Sequence, residues 1–213
     1  MSINRVMAGA AAATALVVAV AACSAGSAAT SPLANTGAVS LQLTDAPFST
    51  DSVASANIFV VRVDGRMASA DSAAADSATA DDSASADGWT TLAKPDTTVD
   101  LLSYQKGNTL ALGSASLKAG SYSGFRMIID PTKSYLVLAS GDTLSGSSKP
   151  GIMFPSGNRS GIKINLSSPL VIVSGDTATM LLDFQLANSF VVRGNSIMQN
   201  GLLFKPVIQA TTK

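Results

Sequence analysis

Five charged side chains stand inside or at the end of apolar runs: Asp45, Arg126, Lys163, Asp183 and Lys205. A charge set among alternating apolar residues either faces water or lies under cover, where it needs a partner. Two chemistries follow. The five can form an ion-pair network or solvated outer sheet face, or they can line a polar ligand pocket on the sheet. Arg126, flanked by Phe125, Met127 and Ile129, and Asp183, flanked by Leu182 and Phe184, are candidate partners under cover. Alternatively, both line an open ligand site.

The residue inventory narrows the reactions available. The chain has no His, and all 14 of its acids are Asp. Without His there is no ordinary general base near neutral pH, no Ser-His-Asp triad and no imidazole for zinc. Ser160-Gly161-Ile162-Lys163 and Ser103-Tyr104-Gln105-Lys106 match a Ser-x-x-Lys pattern. That pattern works on a helix, which puts both residues on one face, whereas in a strand positions three apart face opposite ways. Neither Gly-x-Ser-x-Gly nor a phosphate-binding loop occurs. The expectation is a non-enzymatic chain with no cofactor and no metal site. The alternative is a carbohydrate- or metal-binding accessory domain using Asp45, Asp183 and nearby carbonyls.

The single cysteine, Cys23, has a different role. One positive charge at Arg5 is followed by a small, apolar run from Val6 to Ala22, the layout of a secretory signal. That run is short for a transmembrane helix, which needs about 20 apolar residues. Val20-Ala21-Ala22-Cys23 looks like a bacterial lipobox, so residues 1–22 are expected to be a signal peptide and Cys23 to carry lipid. Two or more acyl chains anchor a protein stably. The expected place is the bacterial envelope, in the outer membrane if the cell is Gram-negative. A lone cysteine makes no internal disulfide.

Stepping along the chain, residues 23–37 read as the lipidated Cys and a flexible tether with an end-to-end distance of about 20 Å. Residues 38–213 read as one domain. Once Arg5 leaves with the signal the net charge is near −1, which argues against nucleic acid as a partner. The expected partners are the membrane, through lipid on Cys23, and an envelope protein or polysaccharide.

Val39, Leu41 and Leu43 alternate with polar residues, and Asp45-Ala46-Pro47 ends the run. Residues 57–64 are apolar on both parities until Arg62. Residues 68–88 carry five Asp among Ala and Ser and no basic residue, and are expected to be a disordered loop. In residues 120–130, Phe125, Met127 and Ile129 are expected on one face, with Tyr122, Arg126 and Ile128 on the other. Ser140-Gly141-Asp142-Thr143 and Ser174-Gly175-Asp176-Thr177 are two hairpin signals. Further strands are expected at 161–166, 178–186, 189–193 and 202–210. No segment keeps helical periodicity over three turns. The fold class is all-β, an antiparallel β-sandwich, transthyretin-like or Ig-like Greek key.

Several pieces then form an ordered set. They are Leu43-Thr44-Asp45-Ala46-Pro47, Trp89, Val99-Asp100-Leu101-Leu102, Ala119-Gly120-Ser121-Tyr122 and Phe125-Arg126-Met127. Phe154-Pro155-Ser156-Gly157, Ser160-Gly161-Ile162-Lys163-Ile164, Asp183-Phe184 with Ser189, and Lys205-Pro206-Val207-Ile208 complete it. The set resembles a bacterial lipoprotein domain family of unknown function whose members open with Thr-Asp-Ala-Pro. The resemblance covers roughly residues 38–210. It implies an extracytoplasmic β-sandwich and no established activity. Asp183-Phe184-Gln185 departs from the Asp-Phe-Asp often found there, which weakens a metal site at that point.

Overall fold

Alternation dictates the first strand. In β1 (Thr36–Asp45), Val39, Leu41 and Leu43 are buried, while Ser40, Gln42 and Thr44 between them are not. The computed structural model describes residues 35–46, 52–68, 88–155 and 160–212. The expected signal peptide, Cys23 and nearly all of the Asp-rich segment at 68–88 lie outside the described residues.

The first half continues with β2 (Val53–Met67), β3 (Trp89–Ala93), β4 (Thr97–Asp100), β5 (Leu110–Lys118), β6 (Gly120–Ile129), β7 (Tyr135–Leu138) and β8 (Thr143–Ser145). The second half contains β9 (Ile152–Met153), β10 (Ile162–Leu166), β11 (Leu170–Ile172), β12 (Thr177–Phe184), β13 (Phe190–Val192), β14 (Leu202–Phe204) and β15 (Ile208–Thr212). Among the described residues helix is confined to single turns, a 3-10 turn at Leu101–Tyr104 and the short helices α1 (Leu186–Ser189) and α2 (Ile197–Asn200). None of these described helices is long and apolar enough to cross a membrane.

The main sheet runs β5-β1-β12-β15-β10-β6-β2-β7-β8, with β11 also on β6 and both β3 and β4 on β2. β10 is the corner. Its Ile162 and Lys163 pair with β6, whereas Ile164, Asn165 and Leu166 pair with β15. On either side of that corner the sheet curls, so that Leu41 and Met180 from one half share a core with Val60 and Met127 from the other. At the far edge β5 comes back against β3, where a Cβ on Gly113 would lie 3.2 Å from that of Ala93.

The expected all-β class stands, but the sheet is mixed rather than purely antiparallel. β1 runs parallel to β12, β10 to β15 and β14 to β9. Each of these pairs joins strands far apart in sequence, so local periodicity carries no sign of direction. A bulge also corrects the expected faces of β6. The register with β2 skips between Arg66↔Gly124 and Met67↔Tyr122, which resets the alternation and buries Tyr122 at 2 % exposure.

The two Ser-Gly-Asp-Thr turns do different work. The first closes a β7–β8 hairpin, with Leu138 N donating to Asp142 O and Gly141 N to Leu138 O. The second joins β11, which pairs with β6, to β12, which pairs with β1 and β15, so it is a corner and not a hairpin. Its backbone ties to the start of β1 through Gly175 N to Thr36 O and Ala38 N to Asp176 O. Both glycines sit at positive φ, 91° and 82°, which a side chain would strain.

The small sheet β13-β14-β9 is fastened by Phe204. Its ring centroid lies 5.1 Å from Phe154, 5.0 Å from Phe190 and 6.3 Å from Phe184 of the main sheet.

Candidate functional site

The five sequence-selected charges do not converge. Asp45 and Asp183 meet on neighbouring β1 and β12, whereas Arg126 and Lys163 face each other across β6 and β10. Lys205 is exposed, and its backbone N–H donates to Ser189 O at 2.8 Å.

Asp45 is 3 % exposed and has neutral partners. Its Oδ2 accepts from Gln105 Nε2 and its Oδ1 from Leu186 N, both at 3.0 Å. Burial pushes its carboxyl up from 3.8 to about 6, against the pull of these two donors and with a smaller push from Asp183. Asp183 is raised too, by burial, while the Ala46 N–H it accepts from works the other way. Its Oδ1 is buried with no hydrogen-bond partner among the described residues. Two carboxylates stand here, where calcium takes six to eight oxygens. No group of three or more potential metal-ligating side chains comes together among the described residues.

The segments around this pair interlock. Ser189, fully buried, donates from Oγ to Gln185 O at 2.7 Å and accepts from Val207 N at 3.0 Å. Gln185 N in turn donates to Val207 O, and Thr44 Oγ1 to the Tyr104 carbonyl at 2.9 Å. Nearby on β4, Asp100 caps the 3-10 turn by accepting from Leu102 N and also holds Ala56 N. The Thr-Asp, Val-Asp-Leu-Leu, Asp-Phe, Ser and Lys-Pro-Val pieces of the sequence are therefore fasteners between loops.

Arg126 corrects the sequence expectation. Its carboxylate partner is Asp64 on β2, with Nε 2.9 Å from Oδ2, and not Asp183. Asp64, 2 % exposed, also takes Arg62 Nε at 3.2 Å and Thr91 Oγ1 at 3.0 Å. The Trp89 ring holds two guanidinium groups, Arg126 at 4.4 Å and Arg66 at 5.0 Å from its centroid. Asp64 lies inside β2, three residues before its end. The signal was present in its spacing, two residues after Arg62 on the same face.

A second region was not visible in the sequence. A cleft of about 990 Å³ opens between Pro131-Thr132, the stretch 146–154 and the segment carrying Arg193, Gln199 and Asn200. Hydroxyls and amides (Thr132, Ser147, Gln199, Asn200) share its walls with Ile152, Met153 and Phe154. Among the described residues that line it, the charged ones are Lys149 and Arg193. The wall is braced from within, since Ser148 Oγ donates to Pro150 O at 2.8 Å and accepts from Ser145 N at 2.8 Å. The far side is fixed by a close backbone approach. Gly201, at φ 72°, leaves no room for a Cβ against Gly151 O, and Leu202 N donates to that carbonyl at 2.9 Å. None of the five sequence-selected charges lines this cleft.

No curated protein and no solved structure matches the chain. A family model does match residues 36–206 under the description "Domain of unknown function (DUF4382)". With most of its length matched, the chain belongs to the DUF4382 family, domains of unknown function.

Proposed function

We propose that the chain is a non-enzymatic binding module of the bacterial envelope, tethered by lipid on Cys23, which takes an anionic envelope component in the Lys149–Arg193 cleft. The observation that carries this reading is the division of labour among charges. The carboxylates of Asp45, Asp64 and Asp100 are engaged in fastening strands and loops, whereas the described residues of the cleft present two cations, amides and hydroxyls and no carboxylate. A fixed concave site with a few convergent polar groups is the usual form of a ligand site. Arg and Lys suit carboxylate or phosphate oxygens, Arg in bidentate fashion. The shared core between the two halves of the curled sheet supports reading it as a sandwich that presents the cleft at one end.

The test uses the purified lipidated chain with lipid and polysaccharide fractions from the envelope. One fraction should bind with an affinity that falls as salt rises. The Lys149→Ala/Arg193→Ala variant should weaken that binding by about tenfold or more at an unchanged melting temperature. Binding indifferent to both cations would refute the cleft as the site. Lipid on Cys23 is tested separately, by the mass of the processed protein and by its release from membranes in Cys23→Ser.

A further inference from the structure

An apolar stripe leaves the cleft across the small sheet. The registers Val191↔Leu203 and Leu203↔Met153 set these three side chains side by side on three neighbouring strands. The opposite face of the same sheet is turned inward, with Ile152, Leu202 and Phe204 buried. Val191 and Met153 are nevertheless 46 % and 47 % exposed, and Leu203 is half-buried. Met198 on α2, directly before the cleft residues Gln199 and Asn200, is 51 % exposed. Met153 belongs to both surfaces, since it lines the cleft and ends the stripe.

Exposed apolar side chains in a contiguous row mark an interaction surface more strongly than scattered ones do. Methionine suits a chain-like apolar partner because its unbranched, polarizable side chain repacks easily. Lys149 and Arg193 stand at the cleft end of the stripe, and Arg193 follows Val191-Val192 directly in sequence. The chain from 184 to 213 contains no Asp, so no acid on that segment opposes an anion at this end.

We propose that the cleft and stripe together form a site for a single-chain anionic amphiphile, its charged headgroup against Lys149 and Arg193 and its acyl chain along Met153, Leu203 and Val191. This rests on the binding reading above and names its ligand class. A tail laid on the stripe takes apolar surface out of water and so raises affinity well above that of the headgroup alone.

The probes are dodecyl phosphate, inorganic phosphate and dodecyl maltoside, each titrated below its micelle-forming concentration into the full lipidated chain. Dodecyl phosphate should bind at least about tenfold more tightly than either of the others. Met153→Ser/Val191→Ser should remove most of the preference over inorganic phosphate. Arg193→Ala should remove the preference over dodecyl maltoside. Both substitutions alter exposed residues, so retained thermal unfolding shows that the fold is kept. Equal binding of dodecyl phosphate and inorganic phosphate, or a preference untouched by the serine variant, would overturn the proposal. If an envelope polysaccharide binds through Lys149 and Arg193 while dodecyl phosphate does not, the binding reading survives and the amphiphile assignment fails.

Discussion

Asp45 and Asp64 are both buried, at 3 % and 2 % exposure, near the end of a strand, yet their surroundings are opposite. Asp64 sits between Arg62 and Arg126, with Thr91 completing its shell. Asp45 has an amide, a backbone N–H and a second carboxylate nearby. The first joins three strands of one half of the sheet through opposite charges. The second joins loops through a group that holds its proton up to about pH 6. Burial alone therefore does not say what a carboxylate is for; the charge of its neighbours does.

The largest effect is expected at Asp64. Asp64→Leu leaves Arg62 and Arg126 without their shared carboxylate, at a cost of about 3–5 kcal/mol. Denaturant unfolding should show this loss, and adding Arg126→Met should recover part of it because the two residues are coupled. Strictly additive effects would mean that the pair is not what holds β2 to β6.

Asp45 should show itself through pH. Its folded-state pKa of about 6 lies above the ordinary 3.8, so the folded protein holds a proton that the unfolded chain has released. The associated stability is fully present below about pH 3.8 and is lost as pH rises through 6. Its full size is about 3 kcal/mol. Asp183, also raised by burial, contributes with the same sign. The urea midpoint should therefore fall between pH 4.5 and 7, and Asp45→Asn should flatten much of that slope. A midpoint that rises over this interval in the native protein would contradict the assignment.

Ser189 is expected to give the smaller change. Ser189→Ala removes the hydroxyl that bridges Gln185 O and Val207 N at a fully buried position, at about 1–3 kcal/mol. The loss should appear in thermal unfolding with the cleft unaffected. An undiminished melting temperature would mean that this bridge does not fasten the loops.

How much of this was legible depends on how local the cause is. Strands such as β1 and β10 could be read directly, because their buried residues alternate with polar ones. The first Gly-Asp turn was equally plain, since a hairpin is decided by neighbouring residues. The second carries the same four residues but turns between partners that lie far away, β6 on one side and β1 on the other. Sequence spacing does not distinguish the two. Tyr122 was put on the wrong face because a bulge has no residue signature there. Asp45 and Asp183 are legible as charges set among apolar residues, whereas the carboxylate partner of Arg126 is not, because Asp64 lies 62 positions away. The cleft was hidden for the same reason, being assembled from three separate stretches between Pro131 and Asn200.

The contrast between fastening charges and presenting charges is tested most directly by one paired titration. Asp45→Asn and Lys149→Ala/Arg193→Ala are compared with the native chain for binding of the envelope fraction and for thermal stability. The account predicts that Asp45→Asn changes stability and its pH dependence while binding stays within about twofold. It predicts the reverse for the cleft variant, whose melting temperature stays put while binding falls about tenfold or more. Binding lost in a folded Asp45→Asn protein and kept in the cleft variant would contradict it, and would move the ligand to the Asp45–Asp183 end.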